Sequence, residues 1–321
     1  MWYLTGALFL GFNLGRNNLS NAFGTAIAAR MFSKRFAALI GTGCLALGVI
    51  LNSTATTGTV ASLGDIESSY EAFMICVAAA LTMMGLTYYG IPVSLSQLTI
   101  GGFSGLLFFY GRTIKEDILI EILKGWLISP LIALGISLLV SFLIRKSFKF
   151  FKVHLLYRDV IARWGLMCVG GVSCYALGSN NVASILGLYA NVMPVFSPLI
   201  LGMVIVVMSL GFFSCSMKVI KTVGRRLFPL TPMEALIVVM ASSLTLLLFS
   251  SQWLTWGGES LLPAVPLPTA MVVIGSVLGV SFMNKGCGIR YSVLGRILFS
   301  FVAGPILSGM LCCILLTGLQ G

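Results

Sequence analysis

Gly15-Arg16-Asn17-Asn18-Leu19-Ser20-Asn21-Ala22-Phe23-Gly24 is matched in mid-chain by Gly178-Ser179-Asn180-Asn181-Val182-Ala183-Ser184-Ile185-Leu186-Gly187. Both stretches fit the frame G-x-N-N-x-x-[N/S]-x-x-G. Side-chain amides set in apolar sequence need partners. Their recurrence at matched positions points to a site assembled where two repeated halves meet.

Composition sets the class. Of 321 residues, 58% are hydrophobic and 9% charged, and the mean hydropathy is +1.03. Soluble domains carry about 25% charge, so the chain reads as an all-α polytopic membrane protein embedded in a lipid bilayer. The net charge is +11. Its cations fall in short clusters between apolar runs: Arg30, Lys34 and Arg35; Arg145, Lys146, Lys149, Lys152, Arg158 and Arg163; Lys218, Lys221, Arg225 and Arg226; Lys285, Arg290 and Arg296. That is a positive-inside pattern, and it excludes a nucleic-acid partner. The eight cysteines lie mostly in apolar runs without metal-ligand spacing, so they read as small buried hydrophobes. His154 sits alone in a basic loop. No nucleophile–base pair or metal cluster suggests an enzyme, and no cofactor or metal site is expected. Met1 to Phe12 lacks a basic n-region, so no cleaved signal peptide is expected.

Apolar runs divide the chain into ten membrane segments, at 2–28, 36–51, 70–90, 92–110 and 118–144, then 160–190, 194–213, 232–253, 268–284 and 290–318. The basic clusters after the first and fifth segments assign those ends to the cytoplasm. The loop from Asn52 to Ser69, with Asp65 and Glu67, then falls outside, as does the loop with Glu259. Both termini come out external, in a multi-pass plasma (inner) membrane protein. Five crossings per half give the halves opposite orientation, as an inverted-topology repeat. The expected division is a first repeat at 1–144, a basic cytoplasmic linker at 145–159 and a second, inverted repeat at 160–321.

A second duplicated motif supports the repeat. Pro92-Val93-Ser94-Leu95-Ser96-Gln97 runs on to Gly101 and Gly105. Pro266-Leu267-Pro268-Thr269-Ala270-Met271 runs on to Gly275 and Gly279 at the same spacing. Each copy lies in the fourth segment of its half. Pro92 and Pro266 suit the first turn of a broken or re-entrant helix, whose free N–H groups and dipole attract anions. Ser94, Ser96, Gln97 and Thr269 add side-chain hydrogen bonds. Asn13, Asn17 and Asn21 share a drifting helical face, and Asn180 and Ser184 repeat the spacing. A tetrahedral oxyanion fits such donors, and Arg16 adds a bidentate charge-assisted contact. Membrane asparagines also act as interhelical glue. The paired clusters favour a transport site, whereas the four motif glycines read as packing contacts.

At these residues the chain resembles the PiT family of inorganic phosphate transporters, which includes sulfate permease relatives. The family's G-A-N-D-x-A-N-A-x-G motif is matched at Gly15, Asn17, Asn21, Ala22 and Gly24, and again at Gly178, Asn180, Ala183 and Gly187. Its P-V-S-[ST]-[ST]-[HQ] segment is matched at Pro92, Val93, Ser94, Ser96 and Gln97, and more loosely at Pro266 and Thr269. The resemblance implies a secondary transporter of tetrahedral oxyanions, driven by sodium or protons and often homodimeric. It implies substrate at the matching Asn17, Asn21, Asn180, Ser94, Ser96, Gln97 and Thr269, and the residues' own chemistry adds Asn18, Asn181, Ser184 and Arg16 as candidates.

The departures bear on mechanism. Asn18 and Asn181 stand where the family has aspartate, Ser184 where it has asparagine, and Arg16 where it has alanine. Any cation site near Asn18 and Asn181 is weakened by loss of those carboxylates. The coupling ion, sodium or proton, is therefore left open, as is a passive anion channel or uniporter. A non-transporting scaffold that keeps the fold is a further alternative. Substrate is open too. Phosphate follows from the family, while a site without aspartate offers no carboxylate to a phosphate O–H and so leans towards sulfate.

Overall fold

A computed structural model describes residues 2–28, 31–152, 154–222, 228–250, 255–256, 259–260, 262–284 and 289–320. Its helices are α1 (Leu4–Ala28), α2 (Lys34–Asn52), α3 (Thr54–Ala61), α4 (Ser69–Tyr88), α5 (Leu95–Tyr110) and α6 (Glu116–Phe150). There follow α7 (Leu155–Leu177), a π-helical turn (Gly178–Val182), α8 (Ala183–Tyr189), α9 (Pro198–Phe213), α10 (Met217–Lys221) and α11 (Pro232–Leu248). The antiparallel strands β1 (Thr255–Trp256) and β2 (Glu259–Ser260) precede α12 (Thr269–Met283) and α13 (Tyr291–Gln320).

Among the described residues, five helical stretches are long and apolar enough to cross a membrane: Lys34–Asn52, Ser69–Tyr88, Glu116–Phe150, Tyr157–Tyr189 and Tyr291–Gly318. Four shorter apolar helices, α5, α9, α11 and α12, accompany them. The helix α1 has 25 residues, but its polar motif lowers its apolarity. All ten expected segments are thus helical. Leu39, Leu131, Phe299 and Ile306 are exposed on the outer faces of their helices, where lipid replaces water as the solvent.

Helix boundaries follow local chemistry. Ser33 and Ser68 cap α2 and α4 by accepting from the Phe36 and Glu71 N–H groups. Thr231 and Glu234 form a capping box at α11. Gly111, at φ 65°, ends α5 in the left-handed conformation that glycine tolerates. Glu71 and Glu234, both in a first turn, then tie neighbouring helices. Arg112, just after α5, donates to Glu71 at 3.0 Å, a bond that raises the guanidinium pKa. Asn284, just after α12, donates to Glu234 at 2.6 Å.

Helix packing is paired across the halves. Along its length α5 lies on α13, and α12 lies on α6; α1 packs on α4 and α9, and α7 on α11 and α2. Contact is backbone-close at the motif glycines. A Cβ at Gly101 would strike the Pro305 carbonyl, and one at Gly275 the Pro130 carbonyl. The two prolines lie within α13 and α6, so small residues let each short helix nest on its long one.

Two sequence expectations change. The loop assigned to Asn52–Ser69 contains α3, which packs on α8. The linker assigned to 145–159 is helical through Phe150, because Arg145, Lys146 and Lys149 extend α6 on its solvated end, where cations favour the helix dipole. Neither copy of the asparagine motif interrupts its helix: α1 runs through the first, and a π-helical turn joins α7 to α8 at the second within one continuous stretch. Arg30, Arg225, Arg226 and Lys285 lie outside the described residues, as do the side chains of Lys221 and Glu259. The cysteines among the described residues are free.

Candidate functional site

The two asparagine motifs hold the two Pro-led segments. Asn17 Nδ2 donates to the Val93 carbonyl at 2.9 Å. Asn180 Nδ2 donates to the Val265 carbonyl, also at 2.9 Å, and Asn180 Oδ1 accepts from the Leu267 N–H at 2.8 Å. Trp126 Nε1 donates to the Pro266 carbonyl at 2.9 Å and Thr59 Oγ1 to the Ala264 carbonyl at 2.6 Å. Extended backbone at membrane depth is tolerated only where protein satisfies its polar groups, and these side chains do so. The two clamps are out of register: Asn17 takes the carbonyl just after Pro92, Asn180 the one just before Pro266.

Held this way, α5 and α12 begin inside the protein. At 1.5 Å per residue they rise about 24 and 22 Å, short of a hydrocarbon core of about 30 Å. Neither Ser94 nor Pro268 makes a side-chain cap, so the first-turn N–H groups keep their donor capacity and the positive end of the dipole. The two N-termini meet where Gln97 Nε2 donates to Met271 Sδ at 3.3 Å.

Around them the candidate residues converge. Asn17 and Asn21 donate to Asn18 Oδ1 at 3.2 and 3.3 Å. The Ser94 and Ser96 hydroxyls lie 3.0 Å apart. Asn181 Nδ2 donates to Thr269 Oγ1 at 2.6 Å. The helix carrying Ser184, α8, packs on both α1 and α5. Every one of these side chains is at most 5% exposed, so the cluster is sealed from solvent. Asn13 is spent on its own helix, donating to the Phe9 carbonyl at 2.9 Å.

Arg16 does not join them. It lines a separate cleft with Thr87, Tyr88, Ser214, Ser216 and Lys218, and none of the asparagines lines that cleft. On a helix, Arg16 points about 200° around the axis from Asn18. Sequence reasoning also missed Trp126 and Thr59, whose partners are backbone atoms 140 and 205 residues away.

The cluster retains unused hydrogen-bonding capacity. Asn17 Oδ1, Asn21 Oδ1, Asn181 Oδ1, Asn18 Nδ2 and Ser184 Oγ are buried without a partner. Each such group costs roughly 1–3 kcal/mol, which a bound polar ligand would offset. No Asp or Glu hydrogen-bonds to the cluster among the described residues, and they contain no group of three or more His, Cys, Asp or Glu that could hold a metal ion. The site is neutral, with donors from Asn18, Ser184 and the uncapped helix termini, and acceptors from three amide oxygens.

Membrane-length helices enclosing a sealed polar cluster, with two helices starting at its centre, define an integral membrane transport protein. The profile of the phosphate transporter family matches residues 14–312, and the chain belongs to that family. A Methanocaldococcus jannaschii protein provisionally named a phosphate permease is 24% identical over 302 residues, 94% of this chain and 92% of the relative. The sulfate permease CysP of Bacillus subtilis is 25% identical over 164 residues, 50% of this chain and 46% of its own length. A solved structure of a sodium-dependent phosphate transporter shares the fold, with a TM-score of 0.85 at 21% identity over 100% of this chain and 99% of that one.

Proposed function

We propose that the chain is a secondary transporter that moves inorganic phosphate across the plasma (inner) membrane. The observation that carries this reading is the set of partnerless buried polar atoms on the asparagine motifs that bond to the starts of α5 and α12. Helix-terminal N–H groups, Asn18 and Ser184 suit the oxygens of a tetrahedral oxyanion. The three unused amide oxygens suit a ligand that also donates, and monohydrogen phosphate has an O–H to give whereas sulfate has none. That supplies the acceptor which the missing aspartates would have provided, and it favours phosphate.

The finer architecture belongs to the same proposal: two inverted repeats, 1–144 and 160–321, joined at the basic stretch 145–159, with both termini external. Support comes from the paired helix contacts, from the two asparagine clamps and from the matched ties at Glu71 and Glu234. Opening the sealed cluster to alternate sides requires one half to rock against the other. A homodimer follows from the family reading.

Sulfate transport is the second reading, favoured by the likeness to the sulfate permease. Uniport is the alternative to sodium or proton coupling, favoured by a site without a carboxylate. Competitive uptake of labelled phosphate and sulfate into proteoliposomes, under imposed sodium and proton gradients, tests all three. Phosphate uptake that sulfate fails to displace is expected. Preferred sulfate uptake would replace the substrate, and uptake that no gradient accelerates would replace the mechanism.

A further inference from the structure

The cleft that takes Arg16 is built like a binding site of its own. Its volume is about 700 Å³, and no acidic residue lines it among the described residues. The Arg16 carbonyl accepts from the Ser216 N–H at 3.1 Å, which fixes the backbone beneath the side chain. Its guanidinium carbon lies 5.8 Å from the Phe12 ring centroid. Nothing satisfies Arg16 Nε, which is buried. Across the cleft Thr87 is 4% exposed, and its hydroxyl is equally without a partner. Lys218 completes the rim. Its ammonium donates to the Tyr88 carbonyl at 2.9 Å and lies 4.2 Å from the Tyr88 ring centroid, with further donors to spare.

We propose that this cleft is a second oxyanion site, where a dissolved tetrahedral anion docks at the mouth of the protein on its way to or from the asparagine cluster. The substrate's identity rests on the proposed function; the anion chemistry rests on the cleft. A guanidinium, a hydroxyl and an ammonium line one cleft, with no carboxylate among the described residues that line it. Two of these groups sacrifice buried hydrogen-bonding capacity that an anion restores. A rigid guanidinium fork suits phosphate geometry, and a charge-assisted bond is roughly twice as strong as a neutral one. Arg16 and Asn17 are adjacent in α1, so the two sites lie on two faces of one helix. An anionic lipid headgroup has the same chemistry, and the test separates it from a free ion.

The protein is reconstituted in zwitterionic phosphatidylcholine nanodiscs, and bound radiolabelled phosphate is measured by scintillation proximity. The Asn18→Ala/Asn181→Ala double variant is expected to keep one saturable, salt-sensitive binding component. Adding Arg16→Ala removes it and Arg16→Lys restores part of it. In proteoliposomes, Arg16→Ala raises KM about tenfold, the loss of one charge-assisted bond, with kcat within about twofold. Thr87→Val raises KM in the same direction. Binding in the double variant that survives Arg16→Ala overturns the proposal, as does an unchanged KM. Binding that appears only in discs containing anionic phosphatidylglycerol assigns the cleft to a lipid headgroup and also overturns it. A wild-type protein that binds phosphate through Arg16 yet transports none would refute the proposed function and leave the second site standing.

Discussion

Gln97 donates to the sulfur of Met271 at 3.3 Å, joining the first turn of α5 to the first turn of α12. The residues belong to matched motifs 174 positions apart. Their contact brings two uncapped helix N-termini to one point inside the membrane. Gln97→Leu keeps the volume but loses the donor that spans this junction. Uptake is expected to fall about tenfold, the effect of one lost hydrogen bond to the moving part, with the melting temperature little changed. Full activity in Gln97→Leu would remove the junction from the transport path.

Asn180 and Asn181 are adjacent but are expected to fail differently. Asn180 satisfies the Val265 carbonyl and the Leu267 N–H, so Asn180→Ala strands two buried backbone groups at a cost of about 2–6 kcal/mol. Asn181 keeps an unused oxygen, so Asn181→Ala is expected to abolish uptake with a smaller loss of stability. Thermal unfolding and uptake measured on the same preparations separate the two. Equal destabilisation would make Asn181 a second clamp.

Gly275 has no space for a side chain against the Pro130 carbonyl. Gly275→Val must push α12 off α6, at a cost of roughly 1–3 kcal/mol or more because the obstacle is backbone. Gly101→Val is expected to do the same between α5 and α13. Gly202, where an added Cβ meets nothing within 4 Å, is the control: Gly202→Val is expected to melt no lower than wild type, since valine exceeds glycine in helix propensity.

Returning aspartate to the family position tests the coupling question. Asn18→Asp and Asn181→Asp place carboxylates in a buried site that now has none. Sodium is expected to stimulate phosphate uptake more strongly in the double variant than in wild type, since a carboxylate offsets the cation's charge. Equal sodium dependence in both would show that coupling never rested on these positions.

Much of the fold was legible because lipid imposes it. Runs of Leu, Ile, Val and Phe about 20 residues long have few alternatives to a helix in a bilayer, and every expected segment is helical. The duplicated asparagines stood out because polar groups in such runs are costly. Trp126 and Thr59 gave no comparable signal. Their role is to satisfy the carbonyls of Pro266 and Ala264, and distant backbone partners leave no motif. The helix α3 was missed because its short Thr-rich sequence has no apolar face of its own.

The sequence alone determined the class of protein, the helical character of its ten apolar segments and the two duplicated motifs. Hydropathy and spacing are properties of the chain itself, and the bilayer reads them segment by segment. Only the tertiary structure decided what each polar residue does. It turned Asn180 into a clamp, left oxygens of Asn17, Asn21 and Asn181 free for a ligand, and rotated Arg16 into a cleft apart from them. The reason is geometric: one residue along a helix turns a side chain by about 100°. Which neighbour it then meets depends on distant chain: Asn17, Asn180 and Asn181 meet partners 76 to 88 residues away.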